Sequence, residues 1–449
     1  MRLLNRLTFG PRPGDIGLLL DRGPSEFLER QFAPEPEHET LARKLRTLPA
    51  IDYTTSEYVL RHQLDNQSSA TVECPLEQLR SAKLLRAVES KNQLREVLVD
   101  FWYNHFNVNA RAWRPSVPEY ERESIRPYVF GRFRDLLTAV AQSPAMTFAL
   151  DTYISTANRV VGGKLVRGLN ENFGRELLEL HTVGVSAGYT QHDVTEASRC
   201  FTGWDFGGWH APIYGFRFAS DQHDRDSKSI FGYSVKSGGG QNDGEELLDY
   251  LAVHPATARF ISWRLVQRFV ADDPPESLVA RCATTFLKSG GEISPVLRTI
   301  FDSEEFRGAT PKLKSPFEFV VSSVRAVDGE IVDARLLAEA IGKMGMPLYD
   351  CIPPTGYSNR GSDWLNVSGQ LHRFNFATAL AAGSFPGVTV RTQSVPPAAV
   401  AKRFADEILG APLRPSTLTA VSRVSANGEV PPQTKALALL LASPEFQVR

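Results

Sequence analysis

The chain has 449 residues with 50 basic and 51 acidic side chains, a formal net charge of −1. Without a basic surplus it lacks the electrostatic footprint of a nucleic-acid binder, which works by displacing phosphate counterions. Hydrophobic residues at 42% and charged residues at 22% exclude a disordered or fibrous chain, and the length admits two or three domains.

Helical periodicity dominates from the start. Residues 14–22 and 24–32 form two short amphipathic segments, each punctuated by glycine or proline. A long helical stretch begins at Pro75 and runs through Leu79, Leu84, Leu85, Val88, Leu94, Val97 and Leu98 to Phe106, with charges between the apolar positions. Further helices are expected over 119–128, 132–141, 172–182, 193–202, 245–253, 255–270, 277–287, 296–301 and 315–327. The tail adds 335–344, 371–382, 399–408, 418–424 and 433–441. Segments 157–167 and 237–244, polar and rich in glycine, read as mobile connections. Between Trp204 and Val235, the aromatics Trp209, Tyr214, Phe216, Phe218, Phe231 and Tyr233 alternate with glycines and charges, a pattern for a small hairpin or sheet. The expected fold class is mainly α: a large single-domain helical bundle with that small β insertion near 204–235. The main body is expected over residues 1–311, with a helical part over 312–449 packed on it.

Four scattered cysteines, Cys74, Cys200, Cys282 and Cys351, form no CxxC pair and suit a reducing compartment. Neither a signal-peptide core at the N-terminus nor a run of about 20 apolar residues is visible, so a cytoplasmic chain without a membrane span is expected. Familiar signatures (HExxH, GxSxG, a P-loop, GxGxxG) are missing, and no spacing marks a Ser-His-Asp triad.

The densest polar segment runs from Asn170 to His181. On a helix, Asn172, Arg175, Glu176 and Glu179 share one arc, opposite Phe173, Leu177 and Leu180. Glu176 and Glu179, three apart, can reach one ion or raise one carboxyl for acid–base work; the alternative is a solvated face with an Arg175–Glu179 pair. Thr190 followed by Asp193 reads as a capping box. Arg199 either complements a helix end or recognises an anion. Trp204 is either core or a stacking surface. His223, Asp224 and Lys228 form either a metal or proton-shuttling element or a charged turn. His254-Pro255 opens a helix, with the imidazole either a metal ligand or a structural cap, and His105 reads as a satisfied core histidine.

Several blocks stand out in order along the chain: LLNRLTFGPRPGDI at 3–16, FWYNHFNV at 101–108, NENFGRELLELHTVGV at 170–185 and GYTQHDVTEASRCFTGW at 188–204. The His-Asp…Lys element at 223–228, HPATARFISWRLVQRFV at 254–270, LKSPFEFV at 313–320 and LLLASPEFQVR at 439–449 complete the set. Together they resemble the bacterial domain-of-unknown-function family eighteen-hundred. The resemblance implies a mostly helical fold and no established activity. It also implies relatives that often carry export signals and are encoded beside a sulfatase-like family. Phe173-Gly174 stands where the family usually has Tyr-Ala, a change of packing more than of chemistry.

Three functions are weighed. The first is a metal-assisted enzyme, oxidative ahead of hydrolytic, in which Glu176, Glu179, His223 and His254 hold a divalent iron, manganese or zinc ion. In that reading Asp224, Arg175, Lys228 and Arg199 do the catalytic work on an anionic or polar substrate, and Asn172 and Trp204 contact it. The substrate class is a small molecule, peptide or glycan, with a protein partner also allowed. The second is a non-catalytic binding or assembly protein whose aromatic surface around Trp204, Trp209 and Tyr214 docks a glycan or partner chain. The third is a metal-free hydrolase or transferase using His223 and Asp224 as its acid–base pair.

Overall fold

A computed structural model describes the chain apart from residues 66–73, 112–113, 163, 167, 208–212, 391–394 and 425–429. Helices carry it, as expected, and the strands are confined to four two-stranded antiparallel pairs among the described residues. Two of these fall in the expected insertion: Trp204–Asp205 pairs with Arg217–Phe218, and Lys228–Ile230 with Tyr233–Val235. A third, Arg159–Val161 against Lys164–Val166, forms where a connection was expected.

The long stretch from Pro75 is two helices, Pro75–Glu89 and Gln93–His105. Buried polar side chains make the break. Asn92 exchanges hydrogen bonds with the Glu35 backbone, Nδ2 donating at 2.7 Å and Oδ1 accepting at 2.9 Å. Gln93 Nε2 donates to the Ala87 and Ser90 carbonyls at 3.0 and 2.9 Å, satisfying oxygens left over at a helix end. Apolar periodicity is blind to such a break, because both helices point the same kind of face inward.

One continuous apolar core runs from Leu7 to Phe446 and passes through both expected parts of the chain. At its centre lies Pro316–Ala326, with every residue buried. Its start is a capping box, Ser315 accepting from the Glu318 amide while Glu318 accepts from the Ser315 amide. Phe317 packs edge-on against Phe9 at 5.0 Å, and Arg325 Nε donates to the Gly10 carbonyl at 2.6 Å. Leu313 bridges Val448, so the segment leading into this central helix pairs with residues 447–449. Among the described residues no helix is long and apolar enough to cross a membrane, and Cys74, Cys200, Cys282 and Cys351 stand as free thiols.

Candidate functional site

The polar segment at 170–181 departs from a regular helix. Asn172–Glu176 is α-helical and Leu177–His181 continues as a π-turn, closed by Thr182 Oγ1 donating to the Leu177 carbonyl at 2.6 Å. The wider turn carries Leu178 and His181 inward beside Phe173 and Leu177, while Glu176 and Glu179 stay half-buried at the surface. Such turns recur at functional sites because they redirect side chains. Burial, and then the neighbouring Glu179 charge, raise the Glu176 carboxyl above the usual range, against a lowering pull from Arg175. Tyr189 donates its hydroxyl to Glu179 at 3.4 Å.

Arg175 does not pair with Glu179. Its guanidinium donates to Glu171 at 3.2 Å and to Gln191 at 2.9 Å, and Glu171 also accepts from Thr195 at 2.7 Å. Asn172 Nδ2 donates to Asp151 at 3.0 Å. The Arg175 and Glu171 contacts tie the start of the 172–176 helix to the next one, Gln191–Cys200. Gly174 permits the closeness: a Cβ there would stand 2.2 Å from Ser198 Oγ. Ser198 leaves no room for a methyl group at this position.

Thr190 and Asp193 form the expected capping box, and Asp193 Oδ1 additionally accepts the Phe231 amide at 2.6 Å. That bond pins a tight turn in which Phe231 has φ 48°, a left-handed conformation costly for a side chain of this size. From the same helix Arg199 reaches Asp224 through two bonds of 2.8 and 3.0 Å, and Glu196 at 2.7 and 2.9 Å. Burial pushes the Asp224 carboxyl up, but the Arg199 hydrogen bonds and nearby positive charge outweigh it and leave it below the usual range.

His223 is buried, with Nε2 donating to Asp243 at 3.0 Å and Nδ1 lying 2.8 Å from the Thr202 carbonyl. Lys228 Nζ spends its three donors on the Asp224 carbonyl at 2.6 Å, the Asp226 carbonyl at 2.8 Å and Asp243 at 2.6 Å. Gly239 lets Asp243 approach, since a Cβ at that position would fall 2.0 Å from Asp243 Oδ1. The structure therefore brings Arg199, His223, Asp224 and Lys228 into one network, completed by Glu196, Thr202 and Asp243. Every polar group of Lys228 and both ring nitrogens of His223 are consumed within it.

His254 caps the helix Pro255–Phe269, its Nδ1 accepting the Ala256 amide at 3.1 Å, with the ring between Phe231 and Tyr250 at 4.9 and 5.4 Å. Of the two readings weighed for this residue, the cap is the one seen. Trp204 corrects an expectation. It is fully buried between Phe201 and Phe216, at 5.0 and 4.8 Å, and so presents no surface for stacking on a substrate or partner. Trp209 lies outside the described residues. Among the described residues no group of three His, Cys, Asp or Glu side chains is placed to hold one metal ion. A four-ligand site built from Glu176, Glu179, His223 and His254 therefore has no support in the geometry: both ring nitrogens of His223 are engaged within the network, and His254 Nδ1 accepts the Ala256 amide.

His105 is the satisfied core histidine expected, with Nε2 donating to the His181 carbonyl at 3.2 Å. Sequence reasoning passed over His181 itself. Its Nδ1 is buried without a hydrogen-bond partner among the described residues, and burial pushes the imidazole down to about 3. Only the irregular turn places it inside, and nothing in the apolar spacing signals a π-turn. Asp243 was overlooked because its segment reads as a glycine-rich connection, whereas the helix Asn242–Ala252 begins within it. Glu196 had a signal, its spacing of three residues from Arg199.

No curated protein and no solved structure matches the chain. A family model described as "Protein of unknown function (DUF1800)" matches residues 2–448. The blocks that carried the resemblance thus belong to one continuous match, and the chain is a member of that family.

Proposed function

We propose that this protein is a metal-assisted enzyme acting on a polar or anionic substrate, with its reacting centre at the Glu176–Glu179 ledge on the π-turn. The observation that carries the reading is the placement of Glu176 and Glu179, both half-buried at the π-turn, where burial and then the neighbouring charge raise the Glu176 carboxyl above its usual range. Two carboxylates that repel each other are relieved either by a shared proton or by a divalent cation. Oxygen donors alone suit a hard cation that keeps several waters, which singles out manganese among iron, manganese and zinc. With His223 and His254 engaged in hydrogen bonds, this donor set favours hydrolytic over oxidative chemistry. Glu176 would then accept a proton from an attacking water, with Tyr189 holding Glu179 in place and Arg175 at the rim for an anionic group.

The test is calorimetric titration of Mn²⁺ into the wild type and into the Glu176→Gln/Glu179→Gln double variant. One bound ion in the wild type and at least tenfold weaker binding in the variant are expected. Absence of binding to the wild type sinks the metal-assisted reading.

A second reading, an assembly protein, has its own support. The helix Val367–Ala381 exposes Val367, Leu371 and Phe374 at helical spacing, with Leu365 beside its start. Sedimentation velocity tests it: self-association that disappears in Leu371→Lys/Phe374→Lys would favour it.

A further inference from the structure

The N-terminal helix Arg2–Leu7 and residues from 309–314, 408–412 and 445–449 line a cavity of about 430 Å³. Its cationic lining is unusual in being buried. Arg6 is 1% exposed and Lys314 5%, and Arg449 lines the same space. Arg6 Nη2 donates to the Thr310 carbonyl at 2.6 Å, while its Nε and Nη1 have no hydrogen-bond partner among the described residues. The Lys314 ammonium sits 3.6 Å from the centroid of the Phe446 ring, and neither it nor Arg6 has an ion pair among the described residues.

The nearby carboxylates are already committed. Glu318 is paired with Arg268 and, at 2.9 Å, with Arg449. Asp272 holds Lys312 at 2.9 Å. Glu445, the one acidic side chain among the described residues of the cavity wall, accepts from the Arg414 amide and from Thr417 Oγ1, both at 2.9 Å. A guanidinium does not shed its proton, and a buried charge with no counter-ion is costly. Lys314 responds to the same burial by moving down to about 7. Arg6 thus keeps two N–H groups that find no acceptor among the described residues, and charged donors of this kind suit the oxygens of an oxyanion. Beyond the charged end, Ile408, Leu409, Pro412 and Val448 give the cavity an apolar side.

We propose that this cavity binds a small organic phosphate, its phosphoryl oxygens on Arg6 and Lys314 and its organic part against Ile408, Leu409 and Pro412. Two buried cations without carboxylate partners match a dianion better than a single carboxylate, and the apolar side gives an organic ester an advantage over the bare ion. This site shares no residue with the Glu176–Glu179 ledge and does not depend on the function proposed for it.

Calorimetry on the full chain, with phenyl phosphate, inorganic phosphate, benzoate and benzyl alcohol as probes, tests the assignment. Phenyl phosphate is expected to bind at least tenfold more tightly than each of the others and to raise the melting temperature. Arg6→Gln and, as the smaller perturbation, Lys314→Gln are each expected to weaken it at least tenfold. Should either variant fail to fold, the order of the four probes on the wild type still decides. No binding of phenyl phosphate at millimolar concentration overturns the proposal, as does equal affinity for inorganic phosphate or benzoate, or binding unchanged in a folded Lys314→Gln protein.

Discussion

The Lys228 ammonium lies 2.6 Å from Asp243 Oδ2, and His223 donates to the same oxygen from 3.0 Å, with all three side chains sealed from solvent. One carboxylate thus joins the 223–235 hairpin region to the start of the 242–252 helix. Removing one partner of a buried pair leaves the other charge stranded, at a cost of roughly 3–5 kcal/mol. Asp243→Asn and Lys228→Met are each expected to lose about that much in urea unfolding, and the double variant less than their sum. A loss below about 1 kcal/mol in both singles would show that the network is not a structural lock.

Glu176 carries a pH signature. Its folded-state carboxyl is raised, so between the unfolded and folded values the native protein holds more protons than the unfolded chain. Stability from this group is therefore present at low pH and lost as pH rises through that window. Glu176→Gln is expected to be more stable than the wild type at pH 7 and indistinguishable from it at pH 4. The difference between their pH–stability curves checks this, and a variant less stable at pH 7 contradicts the repulsion on which the proposed site rests.

His181 works in the opposite sense. Its imidazole is held down to about 3, so the native state resists a proton that the unfolded chain accepts near 6.5. Stability is fully present above about pH 6.5 and falls as pH drops toward 3, by roughly 2 kcal/mol at pH 5 for this group alone. His181→Leu, similar in volume, should flatten that slope relative to the wild type. His105, also held down by burial, keeps part of it. The hydrogen bond from His105 survives the change because its acceptor is the residue-181 carbonyl.

Gly174→Ala tests how closely the 172–176 helix sits on the 191–200 helix. The added carbon meets Ser198 Oγ at 2.2 Å and the Ser198 amide nitrogen at 2.8 Å, so the two helices must part. A loss of about 1–3 kcal/mol is expected. Ser198→Ala should recover part of it, and only part, because the backbone atom stays. Thermal melts of the single and double variants measure both effects.

Much of the fold was legible because its determinants are local. The capping box at Thr190–Asp193, the helix start at His254-Pro255 and the helix 24–32 between Gly23 and Ala33 all depend on residues three or four apart, and all are present. The break at residues 90–92 and the π-turn at 177–181 were not legible. Each arises from contacts with other segments, Glu35 in one case and the packing of His181 on His105 and Phe106 in the other. Trp204 shows the limit of composition: an aromatic among glycines and charges suits a surface or a core equally, and only its neighbours place it in the core.

Sequence by itself determined the helical class, the family and the bounds of several helices, since amphipathic spacing and end-capping act within a turn or two of backbone. The tertiary structure decided which charges satisfy one another. Asp243 takes up Lys228 and His223, and Glu318 takes up Arg268 and Arg449, while Arg6 and Lys314 are left facing a cavity. Burial is what separates these fates. The same lysine is a solvated surface residue or an ion demanding a partner according to what packs over it, and those atoms come from distant parts of the chain.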